Sequence, residues 1–132
     1  MKDILVLIGS ESDKDSVQPA VELMKEKKIS FDLKVYSAHR NLEELQKFLR
    51  ENEDSYRLII AAAGLSAALP GVVASISTKP VIGVPLVAGA LSGIDALLSI
   101  LQLPKGIPVA TMGIGKQGVL NAVHLAERIL KV

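Results

Sequence analysis

Apolar residues follow two alternating rhythms along this chain. The run Ile4-Leu5-Val6-Leu7-Ile8 is unbroken and rich in β-formers, and it stops at Gly9. A run of that kind predicts a strand covered on both faces. From Asp13 to Lys28 the rhythm changes: Val17, Ala20, Val21 and Met24 fall at i, i+3, i+4 and i+7 and predict a helix. Pro19 is expected near the start of that helix, where a missing N–H costs least. Leu33 to Tyr36 reads as a second strand, and Asn41 as the N-cap of a helix with Leu42, Leu45, Phe48 and Leu49 on one face. Leu58 to Ala63 is a third strand. The small-residue stretch Gly64 to Ser77 is expected to be a closely packed helix. Pro80 opens a fourth strand, Val81 to Val84, and Ile94, Leu97, Leu98 and Leu101 mark the next helix. Val109 to Met112 is a fifth strand. Gly118 precedes a last helix, with Val119, Ala122, Val123, Ala126, Ile129 and Leu130 on one side.

Strand and helix thus alternate as βα units, which predicts parallel strands joined by right-handed crossovers. The expected fold is an α/β three-layer αβα sandwich, flavodoxin-like, with a five-stranded parallel sheet in the order 2-1-3-4-5. Residues 1–132 make one domain in this reading, and no linker or internal repeat interrupts them. Ligands of such sheets bind beyond the carboxyl ends of the strands, near the switch point between strands 1 and 3. The middle helices are apolar over more than one face, so a homo-oligomer is expected to cover the second face.

Composition narrows the function. Aromatics are only 3% of the chain and Trp is absent, so the core must be aliphatic. With 15 Lys plus Arg against 14 Asp plus Glu and no basic stripe, no nucleic-acid surface is expected. The chain has no Cys, which removes disulfides, thiol catalysis and cysteine metal sites. A strand begins almost at the N-terminus, so no signal peptide is expected. The longest apolar stretch, Leu86 to Leu103, is broken by Gly89, Gly93, Asp95 and Gln102, so no membrane span is expected either. The reading is a cytoplasmic protein.

Three loops end the first three strands, and the fold would bring them to one rim. In Gly9-Ser10-Glu11-Ser12-Asp13 two hydroxyls precede a helix start, whose free N–H groups and dipole suit phosphate. The Asp13 carboxylate could chelate the paired hydroxyls of a ribose; the plainer alternative is that Ser12 or Asp13 only caps the helix. In Ser37-Ala38-His39-Arg40, Arg40 offers a permanently charged fork for phosphate, and His39 can exchange a proton near neutral pH. In Ala63-Gly64-Leu65-Ser66-Ala67, Gly64 lets backbone approach a ligand closely, although close helix packing also favours small residues. His124, the other His, falls off the apolar stripe of the last helix and reads as a solvated residue. A phospho-receiver is disfavoured because strand 3 ends in Ala61-Ala62-Ala63 instead of an Asp. A flavin carrier is disfavoured by the lack of aromatics near the rim.

At these loops the chain resembles the family of N5-carboxyaminoimidazole ribonucleotide mutase and aminoimidazole ribonucleotide carboxylase. The similarity runs in order through Gly9 to Asp13, Ser37 to Arg40, Leu69 to Ala74, Pro80 to Pro85, Leu91 to Asp95, Gln102 to Pro104, Gly106 to Thr111 and Asn121-Ala122. The resemblance implies that Ser10, Ser12 and Arg40 hold a ribonucleotide phosphate and Asp13 the ribose. It implies that His39 is the general acid/base and that Ser37, Ala38, Ala63, Gly64 and Leu65 line the pocket. It further implies an octamer with sites at subunit contacts, and neither metal nor organic cofactor. The expected function is moving a carboxylate from an exocyclic nitrogen to a ring carbon in purine biosynthesis; the alternatives are carboxylation by free carbon dioxide, or a changed activity. Ala68 stands where the mutase branch usually carries His, and it and Ser66 are similar to the carboxylase branch, whereas Arg40 is mutase-like. Asn41-Leu42 replaces the usual Thr-Pro. A further C-terminal helix usual in the family is not found before Val132.

Overall fold

The computed structural model describes residues 1–132. The elements are β1 (Lys2–Ile8), α1 (Lys14–Glu26), β2 (Phe31–Val35), α2 (Leu42–Asn52), β3 (Tyr56–Ala63), α3 (Leu69–Ile76), β4 (Val81–Pro85), α4 (Ile94–Leu101), β5 (Ala110–Thr111) and α5 (Gly115–Leu130). The five strands form one sheet in the order β2-β1-β3-β4-β5, every pairing parallel. This is the flavodoxin-like arrangement that the alternating rhythm predicts.

The strand period of two divides the core. Ile4, Val6 and Ile8 of β1 face α1 and α5, where they meet Val17, Met24, Val119 and Val123. Leu5 and Leu7 face the other way, toward Leu45 and Leu49 of α2, Val73 of α3, and Ala96 and Ile100 of α4. Both faces of the sheet are therefore dry, which is why β1 and β3 read as continuous apolar runs. Gly83 of β4 is required by close approach: a Cβ there would lie 2.9 Å from Val109 Cγ1, 3.0 Å from Ile100 Cγ2 and 3.1 Å from Pro70 Cβ.

Several boundaries differ from the sequence expectation. The helix expected over 64–77 begins only at Leu69, because Leu65 adopts φ 55, a left-handed conformation no α-helix continues through. Residues 64–68 stay at the rim as a loop. Pro19 is the sixth residue of α1, past the first turn, so it does remove a helical N–H. The fifth strand pairs only over Ala110–Thr111. The last helix starts before Gly118; a Cβ on that glycine would sit 1.9 Å from the Gly113 carbonyl oxygen, so only glycine fits. In α4 the buried residues are Ala96 and Ile100, while Ile94, Leu98 and Leu101 are about half exposed. The helical spacing marked an apolar stripe there, and that stripe faces outward.

Candidate active site

The carboxyl ends of β1, β2 and β3 lie side by side, and the loops that leave them enclose a cavity of about 420 Å³. Ser10, Ser12 and Asp13 line it from the first loop, Ser37, Ala38, His39 and Arg40 from the second, and Ala63, Gly64 and Leu65 from the third. All ten residues singled out in the sequence meet at this one cavity.

The first loop is ordered by its own hydroxyls. Ser10 caps a short 3-10 turn, Glu11–Asp13: its Oγ accepts from the Ser12 amide at 3.3 Å and lies 2.9 Å from Ser12 Oγ. Asp13 occupies the N-cap of α1, yet its side chain makes no capping hydrogen bond. Its carboxyl stands at the cavity wall. Burial there pushes its pKa above the ordinary carboxylate value, and a backbone hydrogen bond at Ser10 partly counters the shift.

The second loop is a turn built around Ser37. The Ser37 hydroxyl accepts from the amides of His39 and Arg40, both at 3.2 Å. The Asn41 amide donates to the Ser37 carbonyl at 2.9 Å, while Asn41 Oδ1 accepts from the Ser37 amide at 3.3 Å. Asn41 thus stands at the N-cap of α2 but spends its side chain on the turn before it. The turn fixes the backbone of His39 and Arg40 and leaves both residues exposed at the cavity mouth.

The third loop supplies space. A Cβ at Gly64 would lie 2.9 Å from Ala88 Cβ, so the loops after β3 and β4 touch where the cavity is walled. Gly9, Ser66, Ala68, Leu69 and Ala88 line the cavity beyond the ten expected residues, and Ala88 alone lies outside every segment the sequence singled out. The signal was available in principle, since the end of β4 belongs to the same rim of a parallel sheet. His124 lies elsewhere, exposed on α5 beside Arg128 in a shallow cleft. No group of three or more His, Asp or Glu side chains is placed to hold a metal ion. The arrangement combines one cation, one titratable imidazole, paired hydroxyls and a carboxylate around a small-residue floor, a set suited to an anionic sugar-containing ligand and to one proton transfer.

Residues 3–132 match the family described as AIR carboxylase. An N5-carboxyaminoimidazole ribonucleotide mutase of Saccharolobus solfataricus is 45% identical over 133 residues, covering 100% of this chain and 83% of that protein. The enzyme of the same name from Methanocaldococcus jannaschii is 48% identical over 96% of this chain and 78% of its own length. The one from Escherichia coli K12 is 44% identical over 96% of this chain and 76% of its own. Among solved structures, Treponema denticola PurE superposes with a TM-score of 0.86 at 31% identity, over 97% of this chain and 79% of that one.

Proposed function

The chain belongs to the AIR carboxylase family, and from that membership we propose that it is an N5-carboxyaminoimidazole ribonucleotide mutase acting in purine biosynthesis. The observation that carries the reading is the 44–48% identity over nearly the whole chain to enzymes of that name. The convergence of the ten candidate residues on one cavity supports it.

In this reading residues 1–132 form one mutase domain. Arg40, Ser10 and Ser12 grip the phosphate, with the start of α1 adding its free N–H groups. The Asp13 carboxylate takes the ribose hydroxyls. The carbamate on the exocyclic nitrogen releases carbon dioxide, which is held and added to the ring carbon. That carbon then carries a surplus proton, and His39 removes it. A positioned acid/base is worth about two to four powers of ten in rate. Positioning by the phosphate grip, against the small-residue loop at Gly64 and Leu65, supplies the remainder.

The protein is read as a cytoplasmic homo-oligomer, an octamer with sites at subunit contacts. No helix is long and apolar enough to cross a membrane. The exposed stripe of α4 and its preceding loop, with Leu91 62%, Ile94 53%, Leu98 49% and Leu101 55% exposed, supports self-association.

A second reading is direct carboxylation of aminoimidazole ribonucleotide by free carbon dioxide, favoured by Ser66 and Ala68 at the cavity wall. The test is an assay of purified protein with each ribonucleotide, with and without bicarbonate. Conversion of the carbamate without added bicarbonate supports the mutase; turnover of only the uncarboxylated ribonucleotide with bicarbonate supports the carboxylase.

A further inference from the structure

The turn that carries His39 and Arg40 hangs between two fixed posts. On one side β2 ends at Val35, and the next amide, that of Tyr36, donates to the Ile8 carbonyl of β1 at 2.9 Å. On the other side α2 is seated in the core by Leu45 and Leu49, both fully buried. The Tyr36 and Phe48 rings, 5.3 Å apart between centroids, pack the strand end on that helix. Asn41 joins the turn to the helix. Its carbonyl accepts from the Leu45 amide at 2.9 Å, its amide donates to the Ser37 carbonyl at 2.9 Å, and its Oδ1 accepts from the Ser37 amide at 3.3 Å. Because β2 is an edge strand, the Ser37 amide has no further strand to donate to, and the Asn41 side chain is the acceptor it finds. Asn41 gives up capping to do this. It makes no side-chain capping bond to α2, and its backbone, at φ -128 and ψ 35, lies outside the extended region an N-cap usually occupies.

We infer that Asn41 is a positioning residue: the hydrogen bond from the Ser37 amide to its Oδ1 holds the turn closed and so sets where His39 and Arg40 stand at the cavity. The inference rests on the mutase reading, in which His39 moves the proton and Arg40 grips the phosphate. Asn41 itself does not line the cavity, so it acts through the turn and not on the ligand. Without its Oδ1 the Ser37 amide turns to water, and one backbone bond, from the Asn41 amide to the Ser37 carbonyl, is left to close the turn. His39 and Arg40 then shift together, because the Ser37 hydroxyl holds both of their amides. Rate suffers more than fold. Proton transfer needs the imidazole within hydrogen-bond reach of the ring carbon's proton, and a misplacement of about 1 Å can cost about a hundredfold. The burial of Leu45 and Leu49 that seats α2 does not depend on this bond.

The experiment compares wild type, Asn41→Ala and Asn41→Asp in conversion of N5-carboxyaminoimidazole ribonucleotide, each at its own pH optimum. Alanine removes the acceptor. Aspartate keeps an oxygen in its place and adds a negative charge near the phosphate grip, which falls on KM. Asn41→Ala is expected to lower kcat at least about tenfold, and Asn41→Asp to keep kcat within about twofold of wild type while raising KM. Asn41→Gly, which also lacks the acceptor, is the second variant should the alanine protein not fold. A wild-type kcat in the folded alanine or glycine variant, with only the thermal midpoint lowered, makes the bond merely structural and overturns the inference. An Asn41→Asp protein as slow as Asn41→Ala overturns it too, since the acceptor is then not what matters. Amide hydrogen exchange in the free protein reads the turn without turnover. The Ser37, His39 and Arg40 amides are expected to exchange at least about tenfold faster in Asn41→Ala than in wild type, and at the wild-type rate in Asn41→Asp. Equal rates in all three proteins contradict the inference. A wild-type protein that turns over neither ribonucleotide removes the mutase reading, and the exchange rates then decide the role of Asn41 on their own.

Discussion

His39 and Arg40 are adjacent in sequence, and the turn around Ser37 presents both at the cavity mouth. Their proposed roles separate by measurement. His39→Asn should lower turnover at least about a hundredfold while ribonucleotide binding persists; near-normal turnover removes His39 from the mechanism. Arg40→Ala should weaken ribonucleotide binding by roughly 1.5–3 kcal/mol and barely affect the dephosphorylated nucleoside; equal losses in calorimetry contradict the phosphate assignment. Asp13 adds a trade-off. Its pKa is raised by burial, so the folded protein binds this proton more readily than the unfolded chain does, and the ionised carboxylate costs stability above that pKa. Asp13→Asn should therefore raise the thermal midpoint at neutral pH while weakening ribonucleotide binding, and a lowered midpoint would count against burial as the cause. At this scale the residues of the first three loops were legible in the sequence, because a parallel sheet sends every strand's carboxyl end to one rim. Ala88 was not, since an alanine carries no chemical mark. Nor was the work of Ser37, whose hydroxyl is captured by two backbone amides in a turn that residue types alone do not specify.

The elements show where periodicity stops being informative. Spacing located α4 without saying which face meets the sheet: Ala96 and Ile100 meet it, and Ile94, Leu98 and Leu101 look out. An apolar stripe says that something covers it, not whether the cover is the sheet or a second copy. The loop 64–68 was read as helix because small apolar residues suit both; the left-handed Leu65 ends that choice and keeps the segment at the site. The far end of the sheet carries a different device. Tyr56 of β3 donates to Asp32 Oδ2 of β2 at 2.5 Å, and Lys2 of β1 pairs with the same carboxylate, so three strands are joined by one group. The Lys2 and Tyr56 hydrogen bonds hold the Asp32 pKa below its usual value, while burial and the Asp32 bond push Tyr56 up to about 12. The signs follow from linkage. The Asp32 contribution is present above its unfolded pKa of about 4 and fades as pH falls through the depressed value; the Tyr56 contribution is present below about pH 10 and fades as pH rises toward 12. Tyr56→Phe should flatten the alkaline limb of a stability-versus-pH curve, and an unchanged limb removes the assignment. Gly83→Val should destabilise by about 1–3 kcal/mol in denaturant titrations, since its side chain has nowhere to go between α3 and α4.

For the whole molecule, the order of strands and the place of the cavity could be read from the alternation of runs and spacings, because right-handed parallel crossovers leave few topologies open. Assembly could be read only as a surplus of apolar surface. The outward face of α4 predicts that Leu98→Glu shifts sedimentation toward smaller species while the circular dichroism stays native; an unshifted profile places the interface elsewhere. The proposed reaction itself requires the phosphate grip, the small-residue floor and His39 to act together in one cavity. The most direct test follows purified wild-type and His39→Asn protein with N5-carboxyaminoimidazole ribonucleotide, reading by nuclear magnetic resonance the appearance of the isomer carboxylated at the ring carbon. The account predicts conversion by wild type without added bicarbonate and at least about a hundredfold slower conversion by the folded variant. A wild-type protein that leaves the carbamate untouched, or a variant that converts it at the wild-type rate, would contradict it.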